Sequence, residues 1–239
     1  MLKNLLSGVV FCALSTAAFA ADLPSRTKAP APVVEAPASW TGFYLGVQGG
    51  VARTSLKYSD LDYWYSGVND HVVSGYNPAL GLKAGYDFNS GALLTGVGAE
   101  FSFGRFKGGG ETSAGDPTYD IRSKASLLGS LRGKLGLATS NVALFSTAGL
   151  AFSNAKHSYD ETDGSGQYSR TNGKHVGWVV GVGADYKLSA KTSIGVELSH
   201  YQFGNETHKL FNPDGSVRDT RWRQGESYET LMVSFTQRF

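Results

Sequence analysis

The sequence predicts an all-β fold: an eight-stranded antiparallel up-and-down barrel that crosses a membrane. Three observations carry that prediction. About ten residues of apolar/polar alternation recur eight times along the chain. The breaks between these runs alternate long and short. The chain also stops on an alternating segment, "YETLMVSFTQRF" at 228–239, which ends on an aromatic where most chains end in a polar tail.

The 239 residues suit one large all-β unit. Glycine is abundant (31) and Met scarce (2), which argues against a helical bundle. Beyond the N-terminus no 18-residue apolar stretch exists, so a mature transmembrane helix is excluded. Residues 1–20 read as an export signal: Lys3, an apolar stretch from Leu5 to Ala18, and the small-x-small site Ala18-Phe19-Ala20. Cys12, the single cysteine, leaves with it, so the mature chain holds no disulfide. No cysteine sits at the cut to take a lipid. Losing the one charge of Lys3 lowers the formal net charge from +2 to +1, which gives no general attraction to nucleic acid. "ADLPSRTKAPAPVVEAPAS", residues 21–39, is an aperiodic Ala/Pro-rich linker, expected in the periplasm. The barrel domain is expected over 40–239.

The eight runs lie at 41–52, 79–88, 92–103, 122–137, 142–153, 176–188, 192–203 and 228–239. Tight breaks fall at "NSGA" (89–92), "ATSN" (138–141) and "SAKT" (189–192). Long ones fall at 53–78, 104–121, 154–175 and 204–227. An even strand number with short turns at one end and four long loops at the other is the pattern of a bacterial outer-membrane barrel.

Alternation sorts residues into two faces but does not say which points inward. A soluble barrel carrying an apolar ligand would turn the apolar face in. Two features favour the opposite facing. Large aromatics of the apolar phase gather at the strand ends: Phe101, Phe103, Phe152 and Trp178 beside long breaks, Phe43, Tyr86, Tyr186 and Phe239 beside short ones or termini. Two aromatic girdles around a band of Leu, Val and Ala suit a bilayer and its interfaces. The other phase mixes mid-strand glycines with Lys83, Glu100, Lys124, Arg132, Lys134, Asp185 and Glu197. Glycine weakens a strand, yet beside long charged side chains it lets a narrow eight-stranded lumen fill. These charges, with Asp87 as a further candidate, are expected to pair inside the barrel, because isolated buried charges are costly.

The exported, Gly-rich eight-strand pattern, the start "WTGFYLGVQGG" at 40–50 and the terminal Phe239 resemble the small outer-membrane β-barrel proteins of Gram-negative bacteria, OmpA-like in the barrel. The nearest resemblance is to the alphaproteobacterial surface-protein branch, which also carries an Ala/Pro linker after its signal. The resemblance implies that the barrel assembly machinery recognises the last strand through Leu231, Val233, Phe235 and Phe239. Gln237 stands where an aromatic or apolar residue is usual.

No catalytic or cofactor-binding set is expected. His71, His157, His175, His200 and His208 are scattered without an i, i+4 metal spacing and read as solvated residues. The branch includes haem-binding surface proteins, which makes His71, His157 and His208 the residues for that alternative. "DETDGSG" (160–166) lacks calcium-loop register, with Thr171 where a closing Glu is needed. The first long break holds Tyr58, Tyr63, Trp64, Tyr65 and Tyr76, a composition suited equally to binding host or surface ligands and to packing over the barrel mouth. The fourth contains the turn signal "NPDG" and the cations Lys209, Arg218, Arg221 and Arg223, suited to lipopolysaccharide. The resulting expectation is an outer-membrane surface protein serving envelope integrity, with outer-membrane lipid as its surroundings. A minimal porin passing small solutes is the alternative.

Overall fold

The computed structural model describes residues 39–60, 71–113, 118–161, 168–172 and 174–239. The segments expected as signal and linker, 1–20 and 21–39, therefore lie outside the described residues, apart from Ser39. Strand dominates what remains: β1 (Gly42–Asp60), β2 (His71–Ser90), β3 (Leu93–Ser113), β4 (Thr118–Ala138), β5 (Val142–Ser153), β6 (Lys156–Glu161), β7 (Tyr168–Asn172), β8 (His175–Lys187), β9 (Thr192–Phe203), β10 (Glu206–Phe211) and β11 (Val217–Arg238). Neighbours run β1-β2-β3-β4-β5-β8-β9-β11, and β11 pairs back onto β1 with Tyr44 opposite Arg238. Eight antiparallel segments thus close the wall and leave no unpaired edge.

Toward the long-loop end the wall continues through the shorter strands. β6 takes the place of β5 beside β4, β7 pairs with β6, and β10 bridges β7 and β11. Much of the four long breaks is therefore strand. β1 runs to Asp60, past the expected limit at 52, and β11 starts at Val217, ahead of 228. Beyond a bilayer nothing selects an apolar outer face, so the alternation fades while the backbone ladder goes on. The "NPDG" segment caps one hairpin as its turn chemistry predicts. Gly215 has φ 81° and its N–H donates to Asn212 O at 2.9 Å. Asp214 Oδ1 accepts from Ser216 N–H at 2.9 Å and from its hydroxyl at 2.7 Å.

The apolar phase faces out. Leu80 is 71% exposed, Val97 66% and Val182 59%, while their strand neighbours are buried or half-buried. Phe43, Tyr86 and Tyr186 are exposed toward the short turns, where Phe43 and Tyr86 make an edge-on contact at 4.8 Å. Phe101, Phe103, Phe152 and Trp178 are exposed at the other end of the apolar band. Phe101 and Phe152 lie either side of Gly129 in one row of the register.

One residue of the expected lumen set is on the wrong side. Between Phe103↔Leu127 and Phe106↔Ala125, β3 carries one residue more than β4. This bulge inverts the parity of β4. Leu128, Ser130 and Arg132 are buried below it, Ala125 and Ser123 above it, and Lys124 is exposed on the outer wall. The break after β5 makes the matching shift on the other side. There Asn154 Oδ1 accepts the N–H groups of Ser126 and Leu127, each at 3.0 Å, so the bulge costs little in lost hydrogen bonds.

Candidate functional site: a lumen filled in layers

The lumen is packed with side chains in three successive layers. At the short-turn end Trp40 is fully buried, and its indole N–H donates to Thr139 O at 2.7 Å. Lys187 and Arg238 sit against its ring at 4.6 and 5.4 Å. Arg238 also donates to Trp40 O and to Asp87 Oδ2, the latter at 3.1 Å. Asp87 takes a second cation, Lys134, at 3.1 Å. The Lys134 ammonium in turn lies 4.7 Å from the ring of Tyr44 and 4.8 Å from that of Phe145.

Arg132 is the hub of the middle layer. It donates to Glu197 Oε1 at 2.6 Å, to Ser199 Oγ at 3.0 Å, to Ser130 Oγ at 2.8 Å and to the Tyr201 hydroxyl. Glu100 lies 3.4 Å from the same guanidinium, and Lys83 lies 3.9 Å from the other oxygen of Glu197. Thr147 donates to Glu197 at 3.0 Å. Two cations face two carboxylates, and hydroxyls take the remaining donor and acceptor positions, as buried charge requires.

The third layer is apolar. Phe106, Leu128, Val179, Phe203, Tyr228 and Met232 form one buried cluster across the lumen. The rings of Phe106 and Phe203 meet that of Tyr228 edge-on at 5.9 and 5.8 Å. Above it the Tyr228 hydroxyl and Ser123 Oγ donate to Glu226 Oε1 at 2.6 and 2.7 Å. His157 stands 3.9 Å from the other oxygen of Glu226, with the His175 ring 5.1 Å from its own.

Of the expected lumen residues, Lys83, Glu100, Arg132, Lys134, Asp185 and Glu197 are buried, and all but Asp185 enter ion pairs. The Asp185 carboxylate lies over Gly195, with no cation in ion-pair range among the described residues. Lys124 is outside. His157 and His175 are buried and hydrogen-bonded, not solvated, because the wall continues past the bilayer and turns them into its interior. Arg238 shares inward parity with Ser234 and Thr236, so the sequence carried a signal for it. Trp40 precedes the alternation and carried none. The apolar layer was hidden because Leu128 changes face only through the bulge. Among the described residues no group of three His, Cys, Asp or Glu is placed to hold a metal ion. Tyr76 is exposed, as is Arg223. The side chains of Tyr58, Tyr63, Trp64, Tyr65, His71, His208, Lys209, Arg218 and Arg221 lie outside the described residues.

Residues 231–239 form the seam of the closed wall. Leu231, Val233, Phe235 and Phe239 face outward, and Phe239 N–H donates to Phe43 O at 2.9 Å.

Comparison with known proteins agrees with this architecture. The chain is 26% identical over 251 residues to the 31 kDa outer-membrane immunogenic protein of Brucella melitensis, each covered in full. Its fold is similar to that of the outer membrane protein OprG from Pseudomonas aeruginosa, with TM-score 0.53 at 13% identity, covering 84% of this chain and 99% of that one. It is also similar to the outer membrane protease OmpT from Escherichia coli, with TM-score 0.51 at 12% identity, covering 83% and 97%. At such identities these two likenesses concern the fold alone. The profile of the outer membrane protein beta-barrel domain matches residues 9–228, nearly the whole of the closed wall, and the chain belongs to that family of outer-membrane proteins.

Proposed function

We infer that this outer-membrane surface protein acts as a sealed barrel: it strengthens the envelope and presents its outer hairpins, without conducting solute or catalysing a reaction. One observation carries the reading, the stacking of an ionic layer under an apolar one across the same narrow lumen. A hydrated pore needs a continuous polar path, and Phe106, Leu128 and Met232 interrupt it. The test is planar-bilayer recording of refolded protein. A silent bilayer is the expected result, and a steady, sizeable conductance overturns the reading in favour of a porin.

The non-catalytic reading is supported by burial: the Ser123 hydroxyl donates to Glu226 Oε1, an oxygen that also accepts from the Tyr228 hydroxyl, and Ser123, Glu226 and His157 are all closed inside the wall. We read residues 1–20 as a signal that is removed and 21–39 as a linker. We also assign the outward Leu231, Val233, Phe235 and Phe239 to recognition by the barrel assembly machinery, which their exposure along the closing seam supports.

A further inference from the structure

Three lysines stand in line on the outer wall. Lys107 of β3 is opposite Lys124 of β4, and Lys124 is opposite Lys156 of β6. All three are exposed. Neighbouring strands lie about 4.8 Å apart, so three positive charges fall within about 10 Å of one another at their roots. Like charges directly opposite each other destabilise a sheet. Among the described residues none of the three has an ion-pair partner. Arg105 in the bulge, and Arg122 two residues from Lys124, are exposed on the same stretch of wall. The row is also a product of tertiary structure: without the bulge Lys124 would point into the lumen.

Its height identifies the occupant. Phe103 and Phe152 mark the end of the apolar band on β3 and β5, and each lysine next to them in the wall lies four residues farther along. Four residues of a tilted strand rise about 10 Å, and a lysine stem reaches back several Å with its ammonium. That sets the ammonium groups at the headgroup level of the leaflet on the hairpin side, directly over the exposed Phe101, Phe103 and Phe152. An occupant there has acyl chains against the aromatic edge and anionic groups above it.

We propose that Lys107, Lys124 and Lys156 form a binding row for the phosphate groups of an outer-leaflet glycolipid. The phosphates bridge neighbouring ammonium groups and remove the repulsion built into the register, while the acyl chains lie on the apolar band. The proposal shares the outer-membrane placement with the sealed-barrel reading but not its lumen, so the two fail separately.

The test uses the full mature chain folded in zwitterionic micelles, with folding checked by gel shift without heating. Retained lipid A, with both phosphates or fully dephosphorylated, is measured by native mass spectrometry. The expected result is retention of the phosphorylated form only, weakened about tenfold or more in K107Q/K124Q/K156Q. The corresponding triple arginine variant should hold the lipid, and K191Q, changed at a short turn, should match the unaltered protein. Equal retention by the unaltered protein and the glutamine triple overturns the proposal, as does equal retention of the two lipids. A triple that keeps the lipid but loses a soluble sulfated polysaccharide also overturns it, making the row a polysaccharide site. If the glutamine triple fails to fold, its three single variants carry the same criteria.

Discussion

Arg132 shows what one lumen residue is asked to do. It satisfies two carboxylates, two serine hydroxyls and a tyrosine at once. Arg132→Ala would leave Glu100 with no cation in range among the described residues and Glu197 with only Lys83, and should cost about 3–5 kcal/mol in reversible urea unfolding from lipid vesicles. Residue parity made this group legible: Arg132, Lys83, Glu100 and Glu197 all belong to one phase of their strands. It failed for Lys124, because parity counts residues and a bulge adds one. A smaller effect belongs to Asp214. Two hydrogen bonds from Ser216 hold its carboxyl below its usual range. A lowered pKa stabilises the turn above the ordinary aspartate range and loses that contribution as pH falls through the lowered value. Amide exchange at Gly215 and Ser216, corrected for intrinsic rates, should show less protection in Asp214→Ala at neutral pH and converge with the unaltered protein in acid.

Among the elements, β4 carries the fold's main irregularity. Its inward residues change from even to odd numbers at the bulge, and the exchange is supported by Asn154 from the break after β5. Asn154→Ala should cost about 1–3 kcal/mol, since two backbone donors lose their acceptor, though water at this exposed site will take part of the loss. Urea unfolding compared with Ala190→Ser, a change in a short turn, would check it. The short turns at 89–92, 138–141 and 189–192 were readable because Gly, Ser, Asn and Thr gather there between clear alternating runs. The outer strand ends were not, since no solvent boundary imprints a pattern on them.

For the whole molecule the facing of the wall is decisive. Val182 lies exposed within the apolar band of β8, so Val182→Arg should destabilise the barrel in lipid by about 2–4 kcal/mol, measured by urea unfolding in vesicles. The layered lumen gives a second outcome. Phe106→Ala with Leu128→Ala thins the apolar layer but leaves the Arg132 network beneath it, so bilayer recordings should stay silent. A steady channel in that variant would mean the ionic layer does not seal on its own.

Local chemistry was enough to reveal the eight-strand rhythm, the outward greasy face, the exposure of the strand-end aromatics and most of the buried charge, because each follows from a period of two meeting hydrocarbon on one side. Register between strands belonged to the folded wall alone. It decided that Lys124 joins two other lysines outside, that Leu128 enters an apolar layer within, and that Trp40 closes the floor under Arg238. Such placements depend on how neighbouring strands count against each other, and no single strand records its neighbour's count.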